Sequence, residues 1–440
     1  MEMSKVVKVV LRIIGVIAML AAVAAGVWFL ALNPYRGTVK NPKDTLALDT
    51  VLTREQARED IDYVMDMLRG RHPAWLDYGN ERVEAVEAMY GLEIAALEQI
   101  NEGDITVEYE WQVIGRILHE LYDGHTVVYA SYSDRRYIDD FTYFYEYGMP
   151  VKIGEFTYEE ALNRFLAVFS YEVYNYAERL FQTNVLCNKN YLQWIGCDTS
   201  NGIDMTFETE EGEKVVHFDF VPINEVKRVE ADFDEEDRGW VYYDIDAENS
   251  IGIFTLTDCN YNNEYKKTVK EFFTAVDEAG IDHIIVDLRY NGGGSSFVAD
   301  EFLRYVDIDG FYTWPSHVRI GDFLIKNGKE YSRNRRLDPQ FSGDLYVLTS
   351  LATFSAAMDF TMDVMDNDLG SVVGEASGNL PDSYGDILIF QLPNSRLEIN
   401  VSYKRWFRTD ETKTGQPLEP DYSCDPSDAM DVAYDLILNP

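Results

Sequence analysis

Four cysteines in 440 residues are too few for a disulfide scaffold, and no CxxC or similarly close set is present to hold zinc. Cys187 and Cys197 are close enough in sequence to pair in an oxidising compartment, but nothing compels it. Positive charge is also scarce. Against 77 Asp and Glu stand only 38 Lys and Arg, a formal charge of −39 that repels phosphate backbones and excludes nucleic acid as a partner. Internal repeats are absent, and there is one long apolar run, residues 13–32. What is present suffices for a core: 46% hydrophobic and 14% aromatic residues exclude wholesale disorder. The length accommodates two or three domains at about 150 residues each.

The apolar run decides where the rest of the chain lies. As a helix, residues 13–32 span roughly 30 Å, one hydrocarbon core. Lys5, Lys8 and Arg12 precede it, which keeps the N-terminus cytoplasmic and sends the folded part outside. Ala21-Ala22-Val23-Ala24-Ala25 offers small residues to a signal peptidase, but the run continues through Val27-Trp28-Phe29-Leu30, long for a signal core. The expectation is an uncleaved single-pass anchor in the cell membrane.

Residues 1–35 thus form the transmembrane anchor, and a polar linker with two prolines follows over 33–49. An N-terminal helical segment covers 36–131, with Ala57, Ile61, Val64, Met65 and Leu68 at helical spacing before His72-Pro73 breaks the run. A second helix over 109–121 leads through Asp123-Gly124-His125-Thr126 into a strand. Residues 132–239 form a mixed α+β middle region with one helix over 158–181. It ends at the acidic run Asp232-Phe233-Asp234-Glu235-Glu236-Asp237. From 240 to 440 strands and helices alternate, which implies βαβ crossovers, a sheet covered by helices and an α/β class.

Two strand ends carry the chemistry. Ile284-Ile285-Val286-Asp287-Leu288-Arg289 runs into Asn291-Gly292-Gly293-Gly294, whose backbone amides can approach a ligand closely. Leu345-Tyr346-Val347-Leu348-Thr349-Ser350 runs into Thr353-Phe354-Ser355-Ala356-Ala357, which opens a helix. Ser355 at a helix N-terminus is by itself an ordinary N-cap. Beside a glycine corner it has the parts of a nucleophile and an oxyanion hole. His119, Glu120 and His125 do not make a zinc helix, because spacing i, i+6 turns the rings about 240° apart. No metal or cofactor is expected.

These motifs in order, with Val373-Gly374-Glu375-Ala376-Ser377-Gly378 and Glu419-Pro420-Asp421, resemble the C-terminal processing (tail-specific) serine peptidases. The likeness is to the branch with the tricorn core and interphotoreceptor retinoid-binding protein, and it covers about 200 residues from Trp240 onward. It implies a crotonase-like (Clp-protease-like) catalytic domain that hydrolyses peptides or proteins. Ser355 would be the nucleophile, and the N–H groups of Gly293 and Ala356 the oxyanion hole. It also implies a PDZ-like middle region, degenerate here because no Gly-Leu-Gly-Phe-type loop occurs.

One departure matters. Where the best-known members carry Gly-Lys, this chain reads Gly378-Asn379-Leu380, and no lysine lies between Ser355 and Lys404. Asp123-Gly124-His125-Thr126 resembles the segment that supplies a histidine base in the tricorn-like branch, so His125 is the expected base, with Lys404 a weaker candidate. Asp382, Asp386, Asp410 and Glu411 are all available to orient it. The missing lysine motivates an alternative: a catalytically inactive member acting as a peptide- or ligand-binding module.

Overall fold

The computed structural model describes residues 5–228 and 238–439; the acidic run 232–237 lies outside them. Its centre is a six-stranded sheet in the spatial order Tyr422–Ser423, Ser371–Gly374, Asp344–Thr349, His283–Asp287, Ile251–Leu256, Val241–Asp246. All neighbours are parallel except the last pair. Strands buried on both faces read as continuous apolar runs, and Ile284-Ile285-Val286 is one. Ile284 and Val286 join a core under the helices Asn263–Ala279, Phe297–Leu303 and Ala356–Met365. Ile285, facing the other way, joins Ala429, Ala433 and Ile437 of the terminal helix Ala429–Leu438. Local chemistry bounds these elements: the Asn262 side chain caps Asn263–Ala279, and Gly280, at φ 65°, ends it.

A second core gathers the helices Arg54–Arg71, Glu81–Leu97 and Val107–His119 with the middle region. Two late strands, Tyr384–Gln391 and Glu398–Trp406, pack into it too, through Leu388, Phe390, Ile399 and Val401. Glu398–Trp406 pairs with Val128–Tyr129, just after His125, and with the hairpin Ser316–Ile320/Phe323–Asn327. Packing therefore cuts across chain order, and the candidate serine and histidine stand on different cores.

Two expectations change. The helix expected over 158–181 is two, Tyr158–Leu166 and Tyr174–Leu180. The segment between them carries Ser170, which holds the Asp123 backbone, and Glu172. The polar stretch 33–49 is not a free linker. Val39 N–H donates to Ile389 O at 2.9 Å, Thr45 N–H to Ser131 O at 2.8 Å and Leu46 N–H to Ser395 O at 3.1 Å. Residues 12–32 are long and apolar enough to cross a membrane, with mean hydropathy 2.5. Their end is held at once: the Tyr35 hydroxyl meets the Tyr403 hydroxyl at 2.8 Å, and Arg71 Nε donates to Pro34 O at 3.1 Å. All four cysteines are free thiols.

Candidate active site

Ser355 occupies the residue before the helix Ala356–Met365 with φ 53° and ψ −125°. A non-glycine residue there is strained by about 1–3 kcal/mol and persists only when its surroundings over-determine it. The surroundings do so. Thr353 Oγ1 donates to Leu288 O at 2.8 Å, Phe354 N–H donates to Asn291 O at 3.0 Å, and Ser355 N–H donates to Asn379 Oδ1 at 2.7 Å. Asn379 is itself oriented by donating to Leu380 O at 3.1 Å and Ser383 Oγ at 3.3 Å. A sharp strand-to-helix turn that lifts a serine at a helix N-terminus is the geometry of a nucleophile elbow.

The glycine corner abuts it. A methyl group on Gly293, at φ 98°, would lie 2.6 Å from Phe354 O, 2.7 Å from Ser355 Cβ and 2.9 Å from Ala356 N. Gly293, Ser355 and Ala356 are therefore brought together, and only glycine fits. The Gly293 N–H is engaged, donating to Asn291 Oδ1 at 2.9 Å, while Asn291 Nδ2 donates to Leu256 O at 2.8 Å.

His125 reaches the same place through Phe354. The two rings lie 4.7 Å apart, and Tyr176 stacks on Phe354, also at 4.7 Å. Neither ring nitrogen of His125 has a hydrogen-bond partner among the described residues, so no Ser355–His125 bond is formed in this state. Such contacts commonly tighten only with substrate. Burial pushes the His125 imidazole below its ordinary pKa, against the opposing pull of Asp123 and Asp386, so the ring is neutral at pH 7.

Asp123 organises this corner. Its Oδ1 accepts the His125 N–H at 2.8 Å and lies 3.9 Å from Nδ1, and its Oδ2 faces His72 Nε2 at 3.1 Å. Ala74 N–H donates to His72 Nδ1, which places the His72 proton on Nε2, toward Asp123. Burial alone would raise the Asp123 carboxyl; the His72 hydrogen bond, the proximity of the His72 and His125 imidazoles and the Thr126 hydroxyl outweigh it and hold the carboxyl down at about 2. Glu172 then ties the histidine segment to the serine segment, accepting Gly124 N–H at 3.2 Å and Leu380 N–H at 3.0 Å.

Of the carboxylates considered for orienting His125, Asp386 acts electrostatically on the ring. Asp382 accepts the N–H groups of Arg408 and Gly415, and Asp410 caps the turn Glu411–Lys413. Lys404 is ion-paired with Asp386. Arg289 is structural, bound to Asp287 and to Pro426 O at 2.7 Å. Asp123, His125 and Glu172 offer ligand atoms within 4.8 Å of one another. A metal there would have to displace the His72, Thr126, Gly124 and Leu380 donors that already occupy the carboxylates.

Asp359, one helical turn beyond Ser355, is buried, and burial followed by Asp386 pushes its carboxyl up to about 8. Its folded pKa lies above the ordinary 3.8, so between those values the folded state holds a proton the unfolded state has released. This group's stabilisation is therefore complete below pH 3.8 and is lost as pH rises through about 8. Thermal unfolding of Asp359→Asn from pH 5 to 8.5 should show its midpoint gaining steadily on that of the unmodified protein. A constant difference would contradict the assigned shift.

Residues 250–424 match the family model for peptidase family S41. The solved structure of mature CPAF is 12% identical and aligns over 88% of this chain and 96% of its own, with a TM-score of 0.59. Mature CPAF complexed with lactacystin is 11% identical over 88% and 97%, with a TM-score of 0.60. A putative peptidase from Parabacteroides merdae is 17% identical over 87% and 97%, with a TM-score of 0.48. At these identities the CPAF likeness is one of fold, a mixed α/β arrangement shared over nearly the whole of both chains. No curated protein matches the chain.

Proposed function

Residues 250–424 being a serine peptidase domain of family S41, we propose that the chain is a membrane-anchored, extracytoplasmic peptidase with Ser355 as nucleophile and His125 as base. The strained Ser355 turn, fitted against a glycine corner that admits no side chain, carries this reading. As Ser355 Oγ attacks the scissile carbonyl, its proton passes to neutral His125, which then gives it to the leaving amine. Water hydrolyses the acyl-enzyme by the same route in reverse. The negative oxygen of each tetrahedral intermediate meets Ala356 N–H, at the positive end of the helix, and Gly293 N–H, which exchanges its Asn291 acceptor for the oxyanion. Residues 12–32 supply the anchor, and the basic residues before them orient it.

A fluorophosphonate probe tests the assignment. Ser355 should label, and His125→Ala should slow labelling by about 1,000-fold. The rate should stay flat around pH 7 and fall only well below 6.5, because protonation removes the base and burial has lowered its pKa. Peptide binding with no labelling at any pH would instead favour a catalytically silent binding module.

A further inference from the structure

The helix that begins after Ser355 carries two carboxylates for which hydrolysis has no use. Asp359 and Asp363 follow Ser355 at i+4 and i+8, so the three share one stripe, with Asp363 about 12 Å along the axis. Asp363 is 4% exposed, and its Oδ1 has no hydrogen-bond partner among the described residues. It lines a cavity of about 550 Å³ together with Asp300, Asp386 and Lys404, and the indoles of Trp314 and Trp406, packed edge to face on each other, form part of the same wall. The cavity lining includes Gly294, next in the chain to the glycine that touches Ser355. The Lys404 ammonium is matched by Asp386. Among the described residues, neither Asp300 nor Asp363 takes part in an ion pair.

We infer that this cavity is the specificity pocket of the enzyme and receives a positively charged substrate side chain, arginine or lysine, with Asp363 at its base. The inference rests on the serine peptidase reading of Ser355. A buried carboxyl without a partner is unfavourable, and an alkyl side chain in the cavity would leave it so. A guanidinium or ammonium supplies the missing donors, and its stem lies along the two tryptophans, where a cation is also attracted by the ring faces. Burial, then repulsion from Asp359, Asp300 and Asp366, holds the Asp363 carboxyl well above its ordinary pKa. A cation in the cavity opposes each of those effects. A bare metal ion suits the site less: the compact ligand cluster among the described residues is Asp123, His125 and Glu172, not these spread carboxylates. The chain's formal charge of −39 favours approach of the same substrates.

The test uses the full-length enzyme and matched quenched peptides that differ only in the residue before the scissile bond: arginine, lysine, norleucine or glutamate. Arginine and lysine should exceed norleucine in kcat/KM by about 100-fold, with glutamate lowest. Asp363→Asn should reduce the arginine-to-norleucine ratio at least tenfold, and Asp300→Asn should reduce it in the same direction. Fluorophosphonate labelling of each variant checks that its site is still assembled. Cleavage with no basic preference overturns the pocket and leaves the peptidase intact. Calorimetry of the same peptides with Ser355→Ala separates the converse case: selective arginine binding with no cleavage by the unmodified enzyme overturns the peptidase and keeps the pocket. A preference that survives both Asp variants removes Asp363 and Asp300 from the assignment.

Discussion

Ser355→Ala should abolish peptide hydrolysis, with kcat falling by at least about 10,000-fold while the fold and peptide affinity persist. Removing one oxygen from a half-buried residue leaves no cavity of consequence, and Ser355 N–H still has Asn379 to bind. A second substitution separates function from architecture. Ser355→Gly also removes the nucleophile, yet it lets the backbone occupy φ 53°, ψ −125° without strain. It should lose activity equally and gain about 1 kcal/mol of stability relative to Ser355→Ala, read as a rise in thermal midpoint. Residual turnover above about 1% in either variant would show that another group attacks the carbonyl.

The second large effect belongs to Gly293. Gly293→Ala places a methyl group 2.6 Å from Phe354 O and 2.7 Å from Ser355 Cβ, and none of those atoms is the free end of a flexible side chain. Both strands at the corner would have to move, on top of the strain of a side chain at φ 98°. The expected outcome is a loss of about 3 kcal/mol in stability and at least about 100-fold in kcat/KM, because the oxyanion donors separate. Gly292 provides the control: a methyl group there meets nothing within 4 Å, and Gly292→Ala should stay within about 0.5 kcal/mol. If both variants behave alike, the close approach at Gly293 is not what holds the serine.

The catalytic half was readable because its central strands are short, largely buried apolar runs. Ile251–Leu256, His283–Asp287 and Ser371–Gly374 stand where their apolar runs put them. The strands between 310 and 333 were not legible, since Glu330–Arg333 is exposed throughout and has no alternation to betray it. Ser355, Gly293 and Ala356 announced themselves by motif. Asp123, Glu172 and Asn379 did not, because each acts through a partner far along the chain. Glu172 meets Leu380 across 208 residues and Gly124 across 48. Asp123 was in view as part of a motif, but its hold on His72 exists only in three dimensions.

The grip of Tyr403 on Tyr35 has a mechanical meaning. Lys404, the next residue, lines the cavity, so the chain just after the apolar helix and one wall of that cavity are fastened to the same strand. Under the proposed anchoring, the enzyme is less a tethered float than a blade clamped at fixed height. The same proposal has slack spliced in after Leu32 changing which peptide chains reach it.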